Sequence, residues 1–196
     1  AMGQVVHLDL VKSIRADKVR DALNAHLRPN AVCVLHAEET SPGFHARFDA
    51  TGRTYLYRIF NRRPDLALDR NRAWRIATPL DHEAMHRAAQ SFVGRHDFTT
   101  FRDSHCQADT PIKTLDSIAV DRVGEEVRIT CTARSFLHRQ MRSMVGSLVD
   151  VGRGKESEAW IGEILKAADR TVCGPVAPAE GLYLVSVSYE PREPRP

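Results

Sequence analysis

The most regular pattern of apolar positions lies between Ala133 and Gly152, ARSFLHRQMRSMVGSLVDVG. Leu137, Met141, Met144, Val145 and Leu148 recur at three- and four-residue spacing, which draws one apolar stripe along a helix starting at about Leu137. His138 and Arg142 stand at the edge of that stripe, one turn apart on the same face. Arg142 falls between Met141 and Met144, where an ordinary core helix avoids a charge. A guanidinium beside a core stripe needs an anionic partner, because burying it unpaired is costly. A structural ion pair, a side chain reaching out to water, or a functional anion would each satisfy it.

The remaining pattern predicts short elements. Gly3 to Leu10, GQVVHLDL, reads as a strand, Ser13 to Leu27 as a helix with Val19, Ala22, Leu23 and Leu27 on one face, and Ala31 to Ala37 as a short strand. After a turn and a strand-like piece from Phe44 to Ala50, Arg53 to Asn61, RTYLYRIFN, is rich in aromatic and branched residues and predicts a strand. A loop from Arg62 to Pro79 follows. Asp81 is placed to cap a helix running to about Val93, with Gly94 suited to its end. Leu115–Arg122 and Val127–Arg134 predict a hairpin turning at Val123–Glu126. After the central helix, Ser157 is placed to cap a helix carrying Trp160, Ile161, Ile164 and Leu165. The last strand, Gly181 to Tyr189, alternates. Its period of two puts Tyr183, Val185, Val187 and Tyr189 on the core side and Leu182, Leu184, Ser186 and Ser188 on the other.

From Arg53 onward the order is β-α-β-β-α-β with one helix added before the last strand, the split-βαβ, ferredoxin-like order. It predicts an α+β fold: an antiparallel sheet with helices on one face. The chain divides into residues 1–45, half of an α/β unit and so an incomplete N-terminal lobe; residues 46–190, the ferredoxin-like domain; and residues 191–196, PREPRP, a disordered tail.

Composition changes this picture little. The 196 residues are 42% hydrophobic and 27% charged, as in soluble globular proteins, and no apolar run reaches the length of a membrane span. Cys33, Cys106, Cys131 and Cys173 form no CxxC pair and fit reduced thiols. Charge adds more. The net charge is only +3, yet 23 of the 28 cations are Arg, the residue whose planar fork suits phosphates and base edges. A GC-rich genome would produce the same bias.

Candidate chemistry is sparse. His82-Glu83-Ala84-Met85-His86 matches the H-E-x-x-H zinc pattern, but it falls in the first turn of its helix and no third-ligand motif follows. Cys106 beside His105 has no evident orienting third group for a nucleophilic thiol. No Walker loop or G-x-G-x-x-G is present. Tyr55, Tyr57 and Phe60 on a strand flanked by Arg53, Arg58, Arg62 and Arg63 suit base stacking with phosphate contact, or alternatively a core face.

Taken together, GQVVHLDL (3–10), FHARFDATGRTYLYRIFN (44–61), DHEAMHRAAQSFVGRHDFTTFR (81–102), SFLHRQMRSMVGSLVDVG (135–152), DRT (169–171) and AEGLYLVSVSY (179–189) resemble, in order, the motifs of the TruA-type tRNA pseudouridine synthases. The resemblance implies the pseudouridine synthase fold. It implies an isomerase that converts uridine to pseudouridine in the anticodon arm of tRNA, usually as a homodimer, with no cofactor and no metal; the reduced thiols add the expectation of a cytoplasmic location, and the apolar runs that of no membrane association. It implies that an Asp carboxylate attacks a flipped nucleoside, after which the base detaches, rotates and re-forms a carbon–carbon glycosidic bond. Carried over position by position, Tyr55 matches the tyrosine that stacks on the target base, Arg142 the arginine that pairs with the catalytic Asp, and Leu182 an apolar residue lining the pocket. The alternative is a non-catalytic, RNA-binding ferredoxin-like module, which the Arg- and Tyr-rich strand would also serve.

One motif of the family is not in the sequence. The nucleophile lies in G-R-T-D-A-G-V-H, directly upstream of the segment matching GQVVHLDL, whereas this sequence starts Ala1-Met2-Gly3, and Gly52-Arg53-Thr54 continues into Tyr55. The expectation is a truncated chain whose nucleophilic Asp lies upstream of residue 1. We predict that the 196-residue polypeptide releases no tritium from uridine-labelled tRNA, whereas the polypeptide that carries the motif does; release by the former overturns the expectation.

Overall fold

The computed structural model describes residues 1–190; the tail predicted for 191–196 lies outside the described residues. The chain forms two compact units, one of residues 1–4 with 50–189, the other built on residues 5–49.

The larger unit starts from a long strand, β1 (Ala50–Asn61), whose alternate residues Tyr57 and Ile59 are fully buried. One edge of β1 pairs with β5 (Glu126–Ala133), which forms a hairpin with β4 (Ile112–Val123); the turn at Gly124 has φ +60, which glycine adopts freely. The other edge is shared. Residues 50–57 pair antiparallel with β6 (Leu182–Tyr189), and Ile59–Asn61 pair parallel with a short β2 (Trp74–Ile76). The sixth strand, β3 (Gly94–Asp97), closes the far side against β4. The antiparallel order β6-β1-β5-β4 is that of the ferredoxin-like fold, so the predicted class and architecture are those observed. The strand β2 arises in the segment predicted as a loop, and β3 begins at Gly94, where the preceding helix is predicted to end. They are three and four residues long, too short to show a period.

The core lies between the Tyr57, Ile59, Ile129 and Cys131 face of the sheet and three helices: α2 (His82–Ala89), α3 (Gln140–Gly152) and α4 (Glu158–Ala167). Burial pushes the Cys131 thiol up to about 12. The whole predicted stripe, Leu137, Met141, Met144, Val145 and Leu148, is buried. The predicted helix nevertheless starts three residues late, because Arg139 takes a left-handed conformation at φ +58. His138 therefore lies outside the helix rather than one helical turn from Arg142. At α4, Ser157 makes no side-chain capping bond.

In the smaller unit, α1 (Ala16–Leu27) forms three residues after its predicted start and buries no residue completely. The predicted strands at Gly3–Leu10 and Ala31–Ala37 are not strands, and of the strand-like piece predicted for 44–50 only Ala50 is strand, the first residue of β1, after a turn closed by Asp49 N–H to His45 O. A strand exists only as a ladder. Val34 finds no strand partner; its amide and carbonyl are satisfied by the Asn24 side chain at 2.8 and 2.9 Å. At the other segment only Met2 and Gly3, in the larger unit, donate to Leu184 O. Among the described residues no helix is long and apolar enough to cross a membrane.

Asp81 caps α2 as predicted, accepting the Ala84 N–H at 2.9 Å. That bond, outweighing some burial, holds its carboxyl below the usual range. A depressed folded value stabilises the fold above the unfolded carboxylate's pKa, and this contribution is lost as pH falls through the lower folded value. Replacing Asp81 with Ala should cost about 1 kcal/mol at neutral pH, and the difference from wild type should shrink towards acid pH in denaturant titrations. A cost that persists undiminished after the carboxyl has been protonated contradicts the cap.

Candidate active site

The site grows from α3. Its side towards the segment Cys173–Pro178 carries Ser143, Gly146 and Ser147, and the small residues let the two backbones meet. A Cβ on Gly146 would fall 1.6 Å from Pro175 O, so only glycine fits there. Ser147 Oγ accepts the Gly174 N–H at 3.2 Å. One turn back, Arg142 makes two bonds to a single residue: its carbonyl accepts the Ala177 N–H at 3.1 Å, and its Nε donates to Ala177 O at 2.6 Å. The next residue of the segment, Pro178, accepts the Tyr57 hydroxyl at 2.7 Å. The Cys173–Pro178 strap is thus held by α3 and by the central strand together.

Arg142 is half-buried, and among the described residues no carboxylate lies within ion-pair distance of it. Its Nε is committed to Ala177 O, while among the described residues its terminal nitrogens carry no hydrogen bond. A half-buried fork with one fixed nitrogen keeps its terminal N–H groups able to pair with an anion. It is close enough to the buried Tyr57 phenol to be felt there: burial and Glu180 push that hydroxyl's pKa up, and Arg142 opposes them.

Tyr55 and Leu182 come to the same side of the sheet as Tyr57. In the ladder Tyr57 faces Leu182 and Tyr55 faces Leu184, and directly opposed residues share a face. This corrects the sequence reading of β6, which put Leu182 and Leu184 on the outer side. Thr54 pairs with Ser186 and Tyr55 with Leu184, leaving Val185 as the extra residue of a bulge. The bulge shifts the alternation by one, so Leu182, Leu184 and, beyond it, Val187 all lie on the inner side. Tyr183 lies outside, its ring 5.8 Å from the Arg58 guanidinium.

Of the three aromatics predicted to suit base stacking, the structure separates all three. Tyr57 is fully buried and cannot stack on a ligand. Phe60 is on the opposite face, under Arg58 and Arg62 at 5.6 Å each. Tyr55 alone is half-buried on the inner face, its ring meeting the edge of Phe136 with centroids 5.0 Å apart. Such a pair contributes about 0.5–1.5 kcal/mol and fixes the ring plane. Burial pushes the Tyr55 hydroxyl's pKa up, with Arg53 opposing.

A second cluster escaped the sequence reading. Asp103, only 8% exposed, accepts from Arg139 at 3.0 Å and lies 3.3 and 3.4 Å from His105 and His138. The His105 N–H is the chief cause of a carboxyl held below the usual range; partial burial opposes it, and Arg139 adds to it. Its amide donates to His138 O. Arg139, in the left-handed region at a cost of about 1–2 kcal/mol for a residue with a Cβ, is the residue on which α3 starts. Nothing in the spacing of Asp103 announces partners 35 residues away.

The remaining motifs do other work. His86 accepts the Val120 N–H on Nδ1 at 3.1 Å, joining α2 to β4. Among the described residues no group of three or more His, Cys, Asp or Glu side chains could hold a metal ion. The Cys106 sulfur accepts the His138 N–H at 3.4 Å, and that bond, the Ala108 N–H and Arg102 outweigh partial burial to lower its pKa.

Comparison with known proteins converges on one family. Residues 88–190 match the family described as tRNA pseudouridine synthase. Over 189 residues, 96% of this chain, the sequence is 61% identical to the tRNA pseudouridine synthase A of Maricaulis maris, covering 76% of that protein. The like-named proteins of Xanthobacter autotrophicus and Afipia carboxidovorans are 61% and 62% identical over the same share of this chain and 77% of their own length. With an antiparallel ferredoxin-like sheet, and with the matched positions Tyr55 and Leu182 on its inner face and Arg142 on the helix packed there, the chain belongs to the tRNA pseudouridine synthase family.

Proposed function

We propose that this protein isomerises uridine to pseudouridine in the anticodon arm of tRNA, acting in the cytoplasm as a homodimer, with Arg142, Tyr55 and Leu182 forming the part of the active site that lies in residues 1–190. The observation that carries the reading is Arg142 itself, a half-buried guanidinium pinned at Nε and, among the described residues, without a counter-ion. A fork held in that way has its terminal N–H groups open to an anion. The catalytic Asp that the family resemblance implies is an anion of the right geometry, since a carboxylate accepts two parallel N–H bonds from one fork.

The roles follow from the chemistry. Isomerisation breaks the bond between the ribose C1′ and N1, turns the uracil, and joins C1′ to C5, which gives up its proton while N1 takes one up. The protein must therefore take the nucleotide out of the stack, hold a carboxylate against the sugar and keep the detached base in place while it turns. Arg142 orients the carboxylate and stabilises its charge. Tyr55, with its plane set by Phe136, offers an aromatic face to the uracil, and Leu182 closes the pocket with a surface that does not hydrogen-bond the turning base. Support for the tRNA substrate comes from the named relatives. Four free cysteines accord with the cytoplasm.

In the polypeptide translated from the complete reading frame, Arg142→Lys should lower kcat by about 100-fold or more while changing tRNA affinity little, because Lys keeps the charge but loses the fork. Single-turnover kinetics with a filter-binding Kd read both, and an unchanged rate removes Arg142 from the reaction. Tyr55→Phe should be much milder than Tyr55→Leu. Equal losses would assign the work to the hydroxyl rather than the ring.

A further inference from the structure

We infer that Asp103 is a positioning residue for the uridine site, acting through the start of α3; the inference rests on the function proposed above. The segment between Phe136 and Arg142 carries both a side chain that sets the Tyr55 ring and the arginine that receives the anion. Its backbone does something unusual at Arg139, where a residue with a Cβ sits at φ +58 and hands over directly to the helix. Arg139 is not a capping side chain. Its carbonyl accepts the Ser143 N–H at 3.0 Å, so the first helical bond beyond Arg142 depends on that conformation.

What holds Arg139 there is a clamp from the loop of residues 102–108. Asp103 takes the Arg139 guanidinium on Oδ2 at 3.0 Å, and its own amide donates to His138 O at 3.3 Å. The Cys106 sulfur accepts the His138 N–H. Arg102 donates to the carbonyls of Cys106 and Ala108, which keeps the loop folded under the clamp. On the opposite side Gln140, fully buried, returns Oε1 to the Leu137 N–H at 2.8 Å. The charged and titratable groups facing Asp103 are His105 from its own loop, then His138 and Arg139, with Cys106 and Arg102 behind. Asp103 has no such contact with Tyr55, Arg142 or Leu182; it acts on them through the 136–142 backbone. Strained residues of this kind persist only where their surroundings over-determine them, and they gather at sites whose geometry must be held. A displacement of the Arg142 fork by an ångström would suffice to misplace a nucleophile.

The test compares Asp103→Asn with the double variant Asp103→Asn/Arg139→Gly in the polypeptide from the complete reading frame. Asn keeps the shape and loses the charge. Glycine reaches φ +58 without help, so it restores the backbone while removing the guanidinium. Asp103→Asn should lower kcat by about 10- to 100-fold with the Kd for tRNA essentially unchanged, and the double variant should recover most of that loss. Asp103→Glu should be intermediate. In parallel, amide hydrogen exchange across residues 137–143 should accelerate in Asp103→Asn and slow again in the double variant. A lower melting temperature with kcat intact makes Asp103 merely structural and overturns the inference, as does a loss of affinity with kcat intact. Unchanged exchange at 137–143 overturns it whether or not the enzyme turns over. Wild type without isomerase activity, by contrast, counts against the proposed function and leaves the exchange measurement to decide the clamp.

Discussion

Arg142 and Ala177 bond each other twice, once through backbone and once through the guanidinium, and that reciprocal pair ties α3 to the strap leading into β6. Without it the strap would lose its central anchor between Gly174 on Ser147 and Pro178 on Tyr57. The pair also constrains the side chain. With Nε fixed, the remaining nitrogens of the fork can turn only as far as the Arg142 stem allows, so the charge is presented in one direction. Rigid supply of a charged group is what distinguishes an electrostatic catalyst from a mobile surface cation.

The close approach behind this arrangement depends on small residues. Gly146 against Pro175 O and Gly181 against the Tyr57 ring, where a Cβ would fall 2.6 Å from Cζ, let the strap and the start of β6 lie against the core without displacing it. Tyr57, fully buried, then serves both as core and as the donor that pins Pro178. Its neighbour Tyr55, two residues back on the same face, remains half-open. One strand thus provides a buried anchor and a half-exposed aromatic ring from a single alternation.

How much of this was legible in the sequence follows from where the information is stored. Local periodicity is written in the chain, and it yields the α3 stripe, the hairpin, the Asp81 cap and the ferredoxin-like order. The anomaly of a charge beside the stripe singled out Arg142. Placement that depends on a partner is not written locally. The predicted strands at Gly3–Leu10 and Ala31–Ala37 have the composition but no ladder. In β6 the bulge at Val185 reversed the inner and outer faces for Leu182, Tyr183 and Leu184 while leaving Val187 inside, because the extra residue is defined by pairing with Thr54 and Tyr55 rather than by its own neighbours. Asp103 was missed for the same reason: its partners stand at 138 and 139, and a single aspartate in a polar loop has no period to betray it. The family resemblance supplied roles for Tyr55, Arg142 and Leu182 that spacing alone left open.

In the proposed function Arg142 presents its fork to an anionic nucleophile beside a uracil supported by Tyr55. The most direct measurement is a crystal structure of the polypeptide from the complete reading frame bound to a tRNA anticodon arm. It should show the target uridine turned out of the stack with its ring against Tyr55, and a carboxylate paired with the terminal nitrogens of Arg142 at about 2.7–2.9 Å while Nε keeps its bond to Ala177. A flipped base held elsewhere, or an Arg142 whose terminal nitrogens bond only to protein carbonyls or RNA phosphate, would contradict it.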